Sequence, residues 1–155
     1  MPDTMLYMAS DHAGYRLKIL LAESLRDEGW IVTDLGTHTE SGCDYPEFAH
    51  PLCAKVLAEQ KPGILLCGTG IGMSIAANRH AGIRAALCAH EFHARSAREH
   101  NNANVLCLGE RVTAPGLALA ITRIFLTTAF SGGRHANRVA KIEMSTNGLR
   151  DHIPA

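Results

Sequence analysis

A cysteine beside a glycine-rich turn is the stretch of this sequence with the clearest capacity for chemistry. Cys67 ends an apolar run and is followed by Gly68, Gly70 and Gly72 at alternate positions. A strand that enters a helix through such a turn directs main-chain N–H groups and the positive end of the helix at one small volume. That volume suits an anion, and a thiol at its edge is favoured as the thiolate and can act as an acid or a base.

The same stretch also has a structural interpretation. Glycine-rich turns often serve only the geometry of the chain, and a lone cysteine is often a small core residue, so the turn alone leaves both interpretations open. Two named motifs are excluded. The G-x-G-x-G spacing differs from the G-x-G-x-x-G of dinucleotide sites, and the turn lacks the Gly-Lys-Ser/Thr ending of a nucleotide P-loop.

Alternating strands and helices are predicted around this turn. Apolar runs predict strands over residues 5–10, 30–35, 63–67, 83–89 and 104–108. Helical periodicity predicts helices over residues 15–28, 46–60, 74–80, 91–100, 114–129 and 134–145. Strands that alternate with helices in this way are typical of an α/β layered sandwich with a parallel sheet.

Length and composition fit one globular domain over residues 1–155, with 46% hydrophobic and 19% charged residues. The predicted helix over residues 114–129 is apolar on nearly all sides. Such a helix is either deeply buried or lies at a subunit interface. We favour the interface.

Charge and residue counts exclude several function classes. Lys+Arg and Asp+Glu each number 15, so no net field attracts nucleic acid, and no apolar run reaches the ~18 residues of a membrane span. The five cysteines are odd in number and show no C-x-x-C spacing, and no signal peptide precedes the first strand, so we expect a reduced protein of the cytoplasm. The nine histidines show no H-E-x-x-H spacing, so we expect no metal.

Polar residues follow three of the predicted strands, at the edge where parallel α/β sheets bind ligands. Asp11 and His12 follow the first strand, Cys67 ends the third, and Glu110 and Arg111 follow the fifth. These groups can converge on one site. Asp11 is equally well explained as the N-cap of the following helix, and a histidine such as His12 is by itself more often a surface residue.

Two arginines and a histidine lie further along the chain. Arg134 and Arg138 are four residues apart, hence on one helical face, where two guanidinium groups can hold a phosphate. A solvated basic face is an equal alternative. His100 ends the fourth predicted helix, where a histidine often only complements the helix dipole.

With these residues assembled, the chain from about residue 6 to 148 resembles the ribose-5-phosphate isomerase B family and its sugar phosphate isomerase relatives. Many short motifs occur in one order, which makes the resemblance specific. They are Ser10–Asp11–His12–Ala13–Gly14, Asp44–Tyr45–Pro46, Cys67–Gly68–Thr69–Gly70–Ile71–Gly72, Ser74–Ile75–Ala76–Ala77–Asn78, Gly82–Ile83–Arg84–Ala85, His100–Asn101, Gly109–Glu110–Arg111–Val112 and Gly132–Gly133–Arg134–His135.

The resemblance implies a Rossmann-like three-layer sandwich with a five-stranded parallel sheet. It also implies a homodimer, or a dimer of dimers, with active sites shared between subunits and the C-terminal helix over about 134–145 packed on a partner. The activity implied is the aldose–ketose isomerisation of ribose 5-phosphate through an enediolate, without metal or cofactor. Relatives use either a cysteine before the first glycine or an acid after the last as the base, and here Met73 cannot ionise, which leaves Cys67.

The resemblance also assigns the other roles. Thr69 assists the base, the amides of Gly68, Thr69, Gly70, Ile71 and Gly72 with Asn101 stabilise the oxyanion, and His100 with Asp11 opens the furanose ring. The phosphate is held by His12, Arg111, Arg134 and Arg138, and Tyr45 lines the pocket.

Sheet geometry separates these residues into two groups. His100 and Asn101 precede the fifth strand, whereas Cys67 ends the third. A strand of ~5 residues is about 17 Å long, so one pocket cannot use both edges of one sheet. We therefore expect Cys67 and His100 of each site to come from different subunits. Two alternatives stay open: an isomerase of allose 6-phosphate, galactose 6-phosphate or a tetrose phosphate, and a non-catalytic binding protein for phosphosugars.

Overall fold

A parallel five-stranded sheet forms the centre of the computed structural model, which describes residues 4–144. The strands are β1 (Met5–Ser10), β2 (Ile31–Asp34), β3 (Gly63–Cys67), β4 (Ala85–Leu87) and β5 (Val105–Gly109). Their order across the sheet is β2-β1-β3-β5-β4, and all neighbours are parallel. The predicted α/β sandwich with a parallel sheet of five strands is confirmed.

Within residues 4–144, six helices connect and cover the strands, and one 3₁₀ turn, His12–Gly14, precedes the first of them. They are α1 (Tyr15–Asp27), α2 (Pro46–Glu59), α3 (Ile71–Ala77), α4 (Glu91–Asn101), α5 (Pro115–Thr127) and α6 (Arg134–Val139). None of the helices in the described part of the chain is long and apolar enough to cross a membrane.

Two apolar layers flank the sheet because β1, β3 and β5 direct alternate side chains to opposite faces. One layer contains Leu66 and Leu108 with residues of α1, α4 and α5, such as Leu21 and Phe125. The other contains Leu65 and Cys107 with residues of α2 and α3. The central strands are apolar throughout because both faces are buried, as is typical of parallel sheets. The three-layer arrangement is therefore confirmed.

Predicted bounds are wrong by two or more residues in four elements. Helix α3 ends at Ala77, not at residue 80, and α5 ends at Thr127, not at residue 129. Helix α3 begins at Ile71, not at Ser74, so the last glycine of the turn, Gly72, lies inside the helix. Strand β4 spans only Ala85–Leu87 because the buried Ile83 and Cys88, which extended the apolar run, lie outside the ladder. Helix α6 ends at Val139, and the last residue of the predicted helix, Ser145, lies outside the described residues.

Helix α5 is buried on one side only. Ala118, Ile121, Thr122 and Phe125 are buried, while Leu117 on the other side is 37% exposed. Deep burial on all sides is therefore excluded within this chain. The alternative that we favoured, a subunit interface, stays a prediction.

Candidate active site

A cavity of about 230 Å³ opens at the carboxyl edge of the sheet, beyond the ends of β1, β3 and β5. Most of the predicted site residues that follow the strands line this cavity. Its lining consists of Asp11, His12, Ala13, Tyr45, Cys67, Gly68, Thr69, Gly72 and Arg111. The predicted convergence of residues that follow different strands is therefore present in the structure, and the roles of these residues remain predictions.

The thiol of Cys67 is held by the glycine turn. Cys67 is only 5% exposed, and its Sγ atom accepts the N–H of Gly70 at 3.1 Å. The same turn is tightened at the next residue, where the N–H of Ile71 donates to Oγ1 of Thr69 at 3.3 Å. Gly70 has a φ of +79°, and a Cβ atom there would lie 3.0 Å from the carbonyl carbon of Leu108, so this position requires glycine. The hydrogen bond from the Gly70 N–H therefore fixes the position of the Cys67 sulfur.

Because Gly68 and Gly72 have no side chains, Arg111 and Tyr45 can pack directly on the turn. A Cβ atom on Gly68 would lie 3.1 Å from Nη1 of Arg111, and one on Gly72 would lie 2.7 Å from the Tyr45 ring. The Arg111 N–H donates to the Gly68 carbonyl at 3.0 Å, which ties the segment after β5 to the turn after β3. The guanidinium group and the phenol ring therefore form opposite walls over the turn.

Asp11 is buried, and its Oδ1 atom accepts the N–H groups of Ala13 at 2.9 Å and Gly14 at 3.1 Å. The N-cap alternative for Asp11 is thus correct as a description of its hydrogen bonds. The same residue also lines the cavity. A structural and a chemical role are therefore compatible at this position.

His12 has a defined orientation although it is exposed. Its Nδ1 atom accepts the main-chain N–H of Cys43 at 3.2 Å. The proton of a neutral imidazole with this bond is on Nε2, which is then available as a donor. Sequence reasoning missed Cys43, because the polar segment between β2 and α2 has no periodicity that indicates which of its residues contacts the site.

A buried ion pair fixes the start of that segment. The side chain of Lys18 is fully buried, and its Nζ atom donates to Oδ1 of Asp34 and to the carbonyl of Thr37, both at 2.6 Å. Lys18 was also missed. A lysine in the first turns of an amphipathic helix gives no sequence signal that it points inward.

Gly109 permits a close approach between the end of β5 and the glycine turn. A Cβ atom there would lie 2.5 Å from the carbonyl carbon of Thr69. The next residue, Glu110, points the other way, and its carboxylate accepts the N–H of Leu17 at 2.9 Å near the start of α1. Glu110 is therefore a helix-capping residue and not part of the cavity lining.

The other predicted residues lie outside this cavity. Ile71, at the start of α3, is 51% exposed. His100 and Asn101 end α4, immediately before β5, and the His100 ring stacks on the ring of His135 with centroids 4.4 Å apart. Arg134 and Arg138 are exposed on α6. The structure thus brings together the residues that follow the strands and separates them from the residues of α4 and α6.

Positive charge surrounds the stacked histidines. Partial desolvation, followed by the charges of His100, Arg134 and Arg138, lowers the pKa of His135 below its ordinary value, while Glu99 opposes the shift. Neither arginine has a carboxylate partner among residues 4–144. Two cations that have no carboxylate partner within the described residues, beside a histidine pair, form a surface that suits an anion.

The remaining buried cysteines differ from Cys67 in their surroundings. Cys53, Cys88 and Cys107 lie in the apolar layers. Burial raises the pKa of Cys53 and of Cys88 to about 12, and it raises that of Cys107 well above its ordinary value. No group of three or more His, Cys, Asp or Glu residues in the described ranges is arranged to hold a metal ion.

A thiol, a glycine turn and an arginine at the carboxyl edge of a parallel sheet define a Rossmann-like enzyme for a small anionic substrate. Residues 6–142 match the family model described as Ribose/Galactose Isomerase, and the chain belongs to this family. It is an aldose–ketose isomerase of the ribose-5-phosphate isomerase B type. The alternative of a non-catalytic binding protein is therefore wrong.

Relatives agree over nearly the whole chain. Ribose-5-phosphate isomerase B of Escherichia coli is 43% identical over 85% of this chain and 89% of its own. The solved structure of ribose-5-phosphate isomerase B from Clostridium thermocellum has a TM-score of 0.88 at 46% identity, covering 95% of this chain and 97% of the other. That from Mycoplasma genitalium, with bound ribulose 5-phosphate, has a TM-score of 0.85 at 42% identity, covering 89% and 93%.

Proposed function

We propose that this enzyme interconverts ribose 5-phosphate and ribulose 5-phosphate through an enediolate, with Cys67 as the base. The observation that carries the proposal is the thiol of Cys67, fixed by the Gly70 N–H at 3.1 Å and facing the cavity at the carboxyl edge. The Escherichia coli and Mycoplasma genitalium relatives, whose names or bound ligand contain this sugar phosphate, support the choice of substrate.

The proton transfer balances within the site. The Cys67 thiolate removes the proton from C2 of the open-chain aldose, the electron pair forms the C1–C2 double bond, and O1 becomes the oxyanion. The thiol then returns the proton to C1, while the proton of the O2 hydroxyl passes to the O1 oxyanion, so that C2 becomes the carbonyl carbon of the ketose. A positioned general base contributes about 10²–10⁴-fold, and each oxyanion donor about 2.7–4 kcal/mol. The main-chain amides of the turn residues that line the cavity, Gly68, Thr69 and Gly72, supply these donors, and Thr69 assists beside Cys67. The amides of Gly70 and Ile71 already donate to Cys67 Sγ and Thr69 Oγ1 and join them only when those bonds open.

The phosphate binds away from the reacting carbons. Arg111 and the Nε2–H of His12 line the cavity and supply charge-assisted hydrogen bonds. Binding energy from this remote group orients C1 and C2 against the thiol, which raises the rate of the chemical step. Tyr45 covers the turn and limits the space open to water.

The complete site is shared between two subunits of a dimer or of a dimer of dimers. His100, with Asp11 of the partner, opens the furanose ring, Asn101 donates to the oxyanion, and Arg134 and Arg138 on α6 complete the phosphate site. The geometry supports this proposal because these residues lie on elements next to the amino edge, about 17 Å from the carboxyl edge for a strand of five residues.

Exposed apolar side chains offer a surface for this association. Ile75 of α3, Leu87 of β4 and Phe92 of α4 are 57%, 41% and 70% exposed. A short edge strand such as β4, which pairs with β5 on one side only within the described sheet, and exposed apolar side chains are typical of a face covered by a partner. A two-fold axis there brings the amino-edge residues of one subunit to the carboxyl edge of the other.

Mixing two inactive variants tests the shared site. Cys67→Ala and His100→Ala subunits are combined and allowed to exchange. With random pairing, about half of the dimers are mixed, and each holds one intact and one doubly defective site, so turnover of ribose 5-phosphate should recover to roughly a quarter of the wild-type value. If both residues act within one chain, every site stays singly defective and mixing restores nothing.

A sibling substrate is the second candidate, because the family description includes galactose and several relatives are named only as sugar phosphate isomerases. Turnover measured in parallel on ribose 5-phosphate, allose 6-phosphate, galactose 6-phosphate and a tetrose phosphate decides between them. A higher kcat/KM for a six-carbon aldose phosphate would reject the pentose assignment and keep the enediolate chemistry.

A further inference from the structure

The turn between α4 and β5 is held by a side chain from another strand. Arg84 precedes β4, and its Nε atom donates to the main-chain carbonyls of Asn101 at 3.1 Å and Asn102 at 3.0 Å. Asn102 ends the helix in the left-handed region, with a φ of 46°. Carbonyl groups in the last turn of a helix have no intrahelical partner, so Arg84 satisfies two that would otherwise lack one.

Arg84 is itself fixed at the main chain. Its N–H donates to Oδ1 of Asn104 at 2.8 Å, and its carbonyl accepts the N–H of Asn104 at 3.1 Å. Nδ2 of Asn104 donates in turn to the carbonyl of Gly82 at 2.9 Å. The guanidinium group therefore bridges the starts of β4 and β5 and the end of α4 from a rigid base.

The cations at this edge serve the helix ends and do not form a separate anion site. Arg84, Arg98 and Lys61 line a cavity of about 290 Å³ at the amino edge, where the ends of α2, α4 and α5 also lie. Arg98 donates from Nε to the carbonyl of Thr128 at 3.2 Å, beyond the end of α5. The negative ends of three helices offset part of this positive charge. The Nε donors of Arg84 and Arg98 are used on main-chain carbonyls at or just beyond the helix ends.

We propose that Arg84 is a positioning residue for the isomerisation: it holds the last turn of α4 so that His100 and Asn101 reach the substrate. The inference rests on the proposed function, in which these two residues act in the site of the partner subunit. Asn101 is bound through its own carbonyl, and His100 is the preceding residue of the same helical turn. Without Arg84 the two carbonyls lose their donor, and the last turn loosens at the residues that must be held most precisely.

The first test is the Arg84→Met variant, which keeps an unbranched side chain of similar length and removes the donors. A misplacement of about 1 Å costs on the order of 10²-fold, so kcat should fall about 10- to 100-fold. The loss in kcat should exceed the rise in KM. The control is Arg26→Met, which removes an arginine that also donates to a main-chain carbonyl, that of Val32 at 3.2 Å, far from both groups of site residues. Its turnover should match that of the wild type.

Subunit exchange then assigns the defect to one half of the site. Arg84→Met subunits should restore activity with Cys67→Ala subunits, to roughly a quarter of the wild-type value, because one site of each mixed dimer combines an intact Cys67 with a correctly held His100. They should restore nothing with His100→Ala subunits, since both variants damage the same half. A purely structural loss would not follow this pattern.

Several outcomes overturn the inference. One is full activity of Arg84→Met, and a second is recovery of activity when Arg84→Met subunits are mixed with His100→Ala subunits. A third is the absence of recovery when Arg84→Met is mixed with Cys67→Ala, although Cys67→Ala and His100→Ala restore each other. If Cys67→Ala and His100→Ala fail to restore each other, the proposal of a shared site is wrong, and the proposed role of Arg84 is wrong as well. Should Arg84→Met not fold, Arg84→Lys, which keeps the charge and donors at a shifted position, is tested in the same exchanges.

Discussion

Side chains that bind the helix ends do so by opposite means at the two edges of the sheet. At the carboxyl edge, side-chain acceptors bind main-chain N–H groups: Asp11 binds those of the 3₁₀ turn, and Cys67 binds that of Gly70. At the amino edge, side-chain donors bind main-chain carbonyls, as Arg84 does at the end of α4. The contrast follows from chain direction, because helices of a parallel α/β fold begin at one edge and end at the other.

This contrast gives the proposed shared site a physical basis. Anionic bases and acceptors are stabilised where N–H groups are exposed, and cations and donors where carbonyl groups are exposed. An isomerase of phosphorylated sugars needs both kinds of residue around one substrate. In the proposed dimer, joining the two edges adds the arginines of α6 to Arg111, the arginine that lines the cavity at the carboxyl edge.

The largest expected effect tests the carboxyl edge. Cys67→Ala should lower turnover on the order of 10²–10⁴-fold, because the general base is removed, while binding of the sugar phosphate survives. Exchange of the C2 hydrogen with solvent should be lost in parallel. Cys88→Ala is the control, since Cys88 is buried away from the cavity. Exchange at the wild-type rate in Cys67→Ala would assign the base to another residue.

The next effect tests the amino-edge group. Arg138→Ala should raise KM for the phosphorylated sugar about 10- to 100-fold, the value of one or two charge-assisted hydrogen bonds, with a smaller change in kcat. Arg134→Ala should behave in the same way. Unphosphorylated ribose is the control substrate. An arginine variant that still prefers the phosphorylated sugar as strongly as the wild type does has no part in the phosphate site.

A smaller effect concerns the contact between β5 and the glycine turn. Gly109→Ala should lower the free energy of unfolding by about 1–3 kcal/mol, because the new Cβ atom overlaps the Thr69 main chain and forces the turn to move. Gly116→Ala is the matched control: it lies in α5 with open space around it, and alanine there should be neutral or stabilising by up to about 1 kcal/mol. If the two substitutions change the free energy of unfolding equally in chemical denaturation, the close approach of Gly109 to Thr69 does not contribute to stability.

The smallest effect concerns the titration of His135. Its pKa in the folded protein is lowered, so the unfolded chain binds the proton more strongly. The contribution of His135 to stability is therefore unaffected well above the unfolded pKa of about 6.5 and becomes unfavourable as the pH falls below it. The imidazole resonances should titrate with a midpoint below that value, and Arg138→Ala should move the midpoint upward. If the midpoint does not change in Arg138→Ala, the charge of this arginine does not influence the pKa of His135.

The elements were predictable from the sequence where periodicity and packing agree. The apolar runs of β3 and β5 are buried on both faces, so each run matches its strand within a residue. The predicted bounds are wrong where a residue lies in an element, or outside one, against the preference of its residue type. Ile83 is buried outside any strand, and Gly72, a poor helix former, is helical because α3 starts at the turn that closes on Cys67.

The site was predictable to the extent that it depends on strand ends. Asp11, Cys67 and Arg111 meet in one cavity because their strands are neighbours in the sheet. The bond between His12 and Cys43 was not predictable, since it joins the site to an irregular segment whose path is set by tertiary contacts. The same holds for Lys18, whose burial depends on Asp34 and the chain beyond it.

The distribution of thiols has a consequence for selective labelling. Cys53, Cys88 and Cys107 keep their protons at neutral pH, because burial raises the pKa of each, and the packed layers around them leave a reagent no path. An electrophilic analogue of a sugar phosphate, once seated in the cavity, meets the sulfur of Cys67. Cys43 is partly exposed, and its Sγ atom lies 3.9 Å from Nδ1 of His12. With Cys43 replaced by serine, such a reagent should become attached at one position per chain and so serve as a covalent count of competent sites.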